Sequence, residues 1–140
     1  MNATTKNFIQ TDLGDFSKVG AESGNERTKH FLKEKLALTG MEISVTAMPK
    51  GSQSPFFHSH KQNEELYVIV EGSGQMQLDD EVIEVKEGSM VNVLPQCQRA
   101  LRANPDSQLV YLCIQAKTNS LEQYTKEDGI RHEDVSWKKK

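Results

Sequence analysis

Two histidines and a carboxylate, His58, His60 and Glu65, fall within the stretch HSHKQNEE at 58–65. On a strand, residues two apart project to the same side, so both imidazoles can reach one ion. A carboxylate at the start of the following strand, after a short loop, can return to that point and complete a face of three ligands. Two histidines and one carboxylate leave coordination positions open, which suits non-haem Fe(II), Mn or Ni. Glu64 has the opposite strand parity and would replace Glu65 if the loop were one residue shorter. Tyr67 shares the parity of Glu65. It is read as a packed aromatic with a satisfied hydroxyl or as a group that bonds a ligand.

The elements that must position these groups lie between residues 41 and 116. Met41, Ile43, Val45 and Ala47 alternate with Glu42, Ser44, Thr46 and Met48, and short β patterns follow at 66–70, 75–78, 82–85, 90–94 and 109–114. Gly51, Gly72, Gly74, the pair Asp79 and Asp80, Gly88 and the run Asn104, Pro105, Asp106 punctuate them. Many short antiparallel strands with closely spaced turns predict a sandwich or barrel. Parity alone leaves open whether Gln75 and Gln77 or Met76 and Leu78 face the interior. Residues 1–40 read as an extension with a short helix. Ser23 and Glu26 form a capping box, Gly40 is a stop, and Phe31, Leu32, Leu36 and Leu38 make the packing stripe. Residues 117–140 read as a polar arm, helical around 121–124, that packs on the barrel or on a second subunit.

With 140 residues the chain is expected to form one domain, large enough to bury a core without disulfides or a structural metal. A formal net charge of −3 gives no electrostatic footprint for nucleic acid, and the cluster Lys138, Lys139 and Lys140 is too short to change that. Cys97 and Cys113 form no CxxC and no zinc-type spacing, so neither a disulfide framework nor a thiolate site is expected. Met1 to Gln10 has no apolar leader segment, and no run is long enough to span a membrane. A cytoplasmic protein is expected.

The series Gly51, His58, His60, Glu65, Gly72, with six residues between the last two, resembles the first motif of the cupin superfamily. The text EELYVIVEGSGQMQLDDEVIEVKEG is similar to small single-domain cupins. The resemblance covers about residues 41–116 and implies an all-β, antiparallel double-stranded jelly-roll barrel, with the N-terminal helix and C-terminal arm appended. It implies that His58, His60 and Glu65 are metal ligands pointing into the lumen, and that the protein forms a homodimer. The second motif departs from the family pattern: Gly88 matches, but Leu94 falls at the proline, Gln96 at the second glycine and Arg99 at the fourth ligand, a histidine. A guanidinium has no lone pair to offer a metal. Arg99 therefore either clamps an anionic substrate beside a three-ligand metal, with Tyr67 as a second substrate contact, or pairs with Glu65 in place of the metal. Two functions follow. One is a small-molecule enzyme holding Fe, Mn, Ni or Zn, of oxygenase, isomerase or lyase type. The other is a metal-free module that binds or senses a small ligand. The fold hosts both.

Overall fold

The computed structural model describes residues 7–20 and 26–140. Seven strands form in chain order: β1 (Thr28–Phe31), β2 (Glu42–Met48), β3 (Asn63–Leu78), β4 (Glu81–Lys86), β5 (Met90–Val93), β6 (Arg99–Ala103) and β7 (Leu109–Lys117). Every strand pairing is antiparallel. The first half of β3 pairs with β7 and β5, and β7 continues through β2 to β1. The second half of β3 pairs with β4 and β6. One long strand thus belongs to both sheets of a jelly roll.

That continuity revises the role expected of two glycines. Gly72 and Gly74 lie inside β3, not in turns between separate strands. Gly72 has φ +83°, and a Cβ there would stand 1.7 Å from the Gln108 carbonyl oxygen. A Cβ at Gly74 would stand 2.0 Å from the Arg102 carbonyl oxygen. Both are needed where β3 bends from one sheet to the other and other backbones crowd it. The turn expected at Asp79 and Asp80 is present, with Asp79 at φ +53°.

β2 is buried on both faces from Ser44 to Met48. Ser44, Thr46 and Met48 pair with Cys113, Tyr111 and Leu109, all in the interior. Val45 and Ala47 face outward, where Leu13, Phe16, Val19, Leu32 and Leu36 cover them in a second core. The apolar side of the alternation therefore packs beneath the N-terminal segment, and its more polar side lines the barrel. Met76 and Leu78 face the interior core, which settles the parity of Gln75 and Gln77 as outward.

The N-terminal helix is shorter than the sequence suggests. It is one turn, α1 (Lys33–Leu36), ended by Ala37 in the left-handed region, and Thr28–Phe31 are a strand. Edge pairing with β2 wins over a helix at those residues. Phe31 is exposed, not part of a stripe, whereas Leu32 and Leu36 do pack. Ser23 lies outside the described residues. In the arm, the only helical turn is the 3-10 segment Lys126–Asp128. Leu121, Tyr124 and Trp137 are exposed, so the arm does not pack on its own barrel. No described helix is long and apolar enough to cross a membrane.

Candidate metal centre

Segment 52–58 runs antiparallel along β6 as an irregular edge. Ser54 N donates to the Leu101 carbonyl at 2.8 Å, His58 N to Arg99 O at 3.2 Å, and Arg99 N to His58 O at 3.0 Å. This fixes His58 beside Arg99. His60 lies beyond the strand pairing and is anchored separately, its N–H donating to Pro95 O at 2.8 Å. Glu65 enters from the facing strand, where it pairs with Gln115 of β7 and Val93 of β5.

The three side chains converge. Their candidate ligand atoms all lie within 4.8 Å of one another, so the group could hold a metal ion. His58 Nε2 is 3.7 Å from Glu65 Oε1, and His60 Nε2 is 3.0 Å from Glu65 Oε2. Despite that distance, His60 Nε2 is buried and misaligned for a hydrogen bond, with no other partner. A neutral imidazole lone pair facing a carboxylate oxygen at this range repels it unless a proton or a cation stands between them. That orphaned nitrogen fits a metal ligand. Glu64 is excluded from the group: its carboxylate points away and accepts from Asn92 Nδ2 at 3.1 Å.

Tyr67 is buried and donates its hydroxyl to Glu65 Oε1 at 2.7 Å. Burial raises the carboxyl of Glu65, but this hydrogen bond and the nearby His60, Cys113 and Arg99 outweigh it. Glu65 is thus held below its ordinary range. Burial lowers His58 against the pull of Glu65, and Arg99, His60 and Lys29 lower it further, so its imidazole stays neutral and able to ligate. The thiol of Cys113, pushed up to about 12 by burial and by Glu65, is no thiolate ligand.

Arg99 is fully buried, with Nη1 3.8 Å from Glu65 Oε1 and Nη2 donating to Leu94 O at 3.0 Å. Its Nε and Nη1 have no hydrogen-bond partner. It is a charge neighbour of Glu65, not a bidentate partner.

A cavity of about 80 Å³ opens over His58 and Glu65, walled also by Tyr67, Tyr111, Arg27 and Lys29 among others, with His60 off its wall. Arg99 is not on its wall, which departs from the expectation of a substrate clamp. Arg27 and Lys29 are the residues that sequence reasoning missed. A larger groove of about 150 Å³ runs along β3 and β6, past Phe57, Gln75, Gln77 and Arg102, away from the triad. Phe56, by contrast, walls the cavity edge-on to His58, ring centres 6.3 Å apart.

Residues 44–115 match the Cupin_2 family, described as the cupin domain. The chain belongs to the cupin family. This cupin is similar to the crystal structure of a cupin protein from Bacteroides fragilis, with 38% identity, a TM-score of 0.78, and 91% of this chain and 99% of that one covered. It also resembles a conserved protein of unknown function from Streptococcus pyogenes, at 20% identity and a TM-score of 0.61 over 83% and 97% of the two chains. That second likeness is one of fold. An uncharacterized protein of Methanocaldococcus jannaschii is 35% identical over 71 residues, which span 51% of this cupin and 56% of the archaeal protein.

Proposed function

We propose that this cupin is a metal-dependent enzyme acting on a small anionic molecule, with His58, His60 and Glu65 as the ligands of one divalent ion, Fe, Mn, Ni or Zn. The observation that carries the reading is His60 Nε2, buried, 3.0 Å from a carboxylate oxygen and without a hydrogen bond. A divalent ion there supplies a Lewis acid or an oxygen-activating centre. The surrounding residues prepare the ligands. Tyr67 orients Glu65 by occupying Oε1, burial keeps His58 neutral, and Arg99 supports the negative charge of Glu65. Chemistry of the oxygenase, isomerase or lyase type is compatible with such a site.

Elemental analysis of the purified full chain tests this. Wild type is expected to carry close to one equivalent of a divalent metal, and His60→Ala to lose it. Metal-free wild type that takes up no added Fe, Mn, Ni or Zn would sink the enzyme reading. It would favour a metal-free binding or sensing module, in which the Arg99 charge beside Glu65 takes the place of the ion.

A homodimer is part of the proposal. Leu121, Tyr124, Ile130, Val135 and Trp137 of the arm are all exposed, Trp137 completely, and a second copy would give them an apolar partner. Light scattering on size-exclusion eluates is expected to give the dimer mass for the full chain and the monomer mass after truncation at Lys117. A full-length monomer would remove the dimer from the proposal.

A further inference from the structure

We infer that the anion-binding half of the site is supplied from outside the cupin domain, by Arg27 and Lys29, which hold the carboxylate or phosphate group of a small substrate over the mouth of the His58 and Glu65 cavity. This rests on the reading that the cavity receives a small molecule, and it names that molecule's class.

The placement follows from strand register. Lys29 of β1 pairs with Thr46, Thr46 with Tyr111, and Tyr111 with Ile69. The neighbouring row runs Phe31, Ser44, Cys113, Tyr67. Tyr67 and Tyr111 are on the cavity wall, so alternation puts Lys29 and Phe31 on the same side of the sheet. Arg27, one residue before β1, continues the alternation. Thr28 and His30 take the other side. Lys29 Nζ lies 5.0 Å from the centre of the Phe31 ring, a cation–π contact that restrains the ammonium while leaving its donors available.

Charge and depth assign the roles. Both cations are exposed, whereas the wall between them and the triad is aromatic. Lys29 and Arg27 line the same cavity as His58, Tyr67 and Tyr111, so their fields reach its floor. Among the described residues, Glu65 is the one carboxylate on the wall, and it is already engaged by Tyr67 and faced by His60 and Arg99. An entering molecule thus meets a guanidinium and an ammonium, which suit oxyanions. Arg99, the cation that sequence pattern offers for this task, is fully buried and off the wall. Arg27 and Lys29 lie before residue 44, where the match to the cupin family begins. The family barrel contributes the triad, and the extension selects what approaches it.

The test is calorimetric titration of the full chain, metal-free and with Zn²⁺ added, using malonate, methyl phosphate and neutral malonamide as probes at low salt. Malonate or methyl phosphate is expected to bind and malonamide not, with Arg27→Gln plus Lys29→Gln weakening binding at least tenfold. Lys126→Gln in the arm is expected to change nothing. Binding of malonate alone identifies carboxylates, and of methyl phosphate alone phosphate esters; either supports the assignment. Metal content of the same samples separates the two readings. Anion binding that depends on Arg27 and Lys29 in a protein that takes up no metal keeps this inference and rejects the metal. Metal retained while anion affinity is unchanged in the double variant overturns this inference alone. Failure of both anions to bind at millimolar concentration in either form also overturns it.

Discussion

Glu65→Gln is expected to destabilise the metal-free protein by about 3 kcal/mol, the low end of the roughly 3–5 kcal/mol typical of breaking a buried ion pair from one side. The variant leaves the fully buried Arg99 with only the Leu94 carbonyl as a partner. The low end applies because the lost contact, at 3.8 Å, is a charge interaction without a hydrogen bond, and because a glutamine oxygen can still accept from Tyr67. The desolvation of a guanidinium without its counter-charge dominates the cost. Adding Arg99→Met removes that buried charge at similar volume, so the double variant should recover most of the loss, a coupling that a double-mutant cycle in urea measures. Glu65→Gln within about 1 kcal/mol of wild type would mean that the pair is not electrostatically significant.

The same groups set a pH dependence. Folding holds Glu65 below its ordinary 4.5, so its contribution is complete above that value and is lost as pH falls through the folded pKa. His58 is held below its ordinary 6.5, so from that pH downward the unfolded chain takes up its proton first. Both act in one direction: stability of the metal-free protein declines on acidification from about 6.5. His58→Gln should remove the upper part of that decline.

Arg99→His is expected to raise affinity for Zn²⁺ or Ni²⁺ by ~100-fold or more. Unit charges 4 Å apart interact by about 4 kcal/mol at an effective dielectric near 20, a divalent ion doubles that to about 8 kcal/mol, and each ~1.4 kcal/mol is tenfold in affinity, so relief of about 3 kcal/mol, less than half of the repulsion, gives this change. The backbone pairing of Arg99 with His58 also places a new imidazole beside the existing ligands. Arg99→Met isolates the charge effect and should improve affinity by less than Arg99→His. Competition with a chromophoric chelator reads both. If neither substitution changes affinity, any bound metal is not at His58, His60 and Glu65.

The reach of the sequence is clearest in the triad. His58, His60 and Glu65 were legible because spacing within a short segment is a local property, although His60 lies beyond the strand pairing that parity assumes; parity does hold within β3, where Tyr67 shares the face of Glu65. Turn chemistry at Asp79 and alternation along β2 and β7 are local in the same way. What separates Glu65 from Glu64 is one residue of register: Glu65 and Tyr67 share the buried face of β3, and Glu64 turns to Asn92 on the other.

Other features depend on what lies across the sheet, which no local pattern encodes. β3 runs unbroken through Gly72 and Gly74 because the crowding that excludes a side chain comes from Gln108 and Arg102, distant in sequence. Thr28–Phe31 is a strand because β2 offers it an edge, although its own residues also suit a helix. Arg99 lies beside Glu65, yet its removal from the cavity wall is a matter of burial depth. Arg27 and Lys29 carry no motif at all and enter the site only through the β1–β2 register. The sequence by itself determined the many-stranded antiparallel β core and the candidate group His58, His60 and Glu65, since alternation and close spacing are short-range, while the jelly-roll barrel followed from the resemblance to cupins. Only the tertiary structure decided which cations line the cavity, because that depends on long-range pairing and on which side chains burial leaves within reach of solvent.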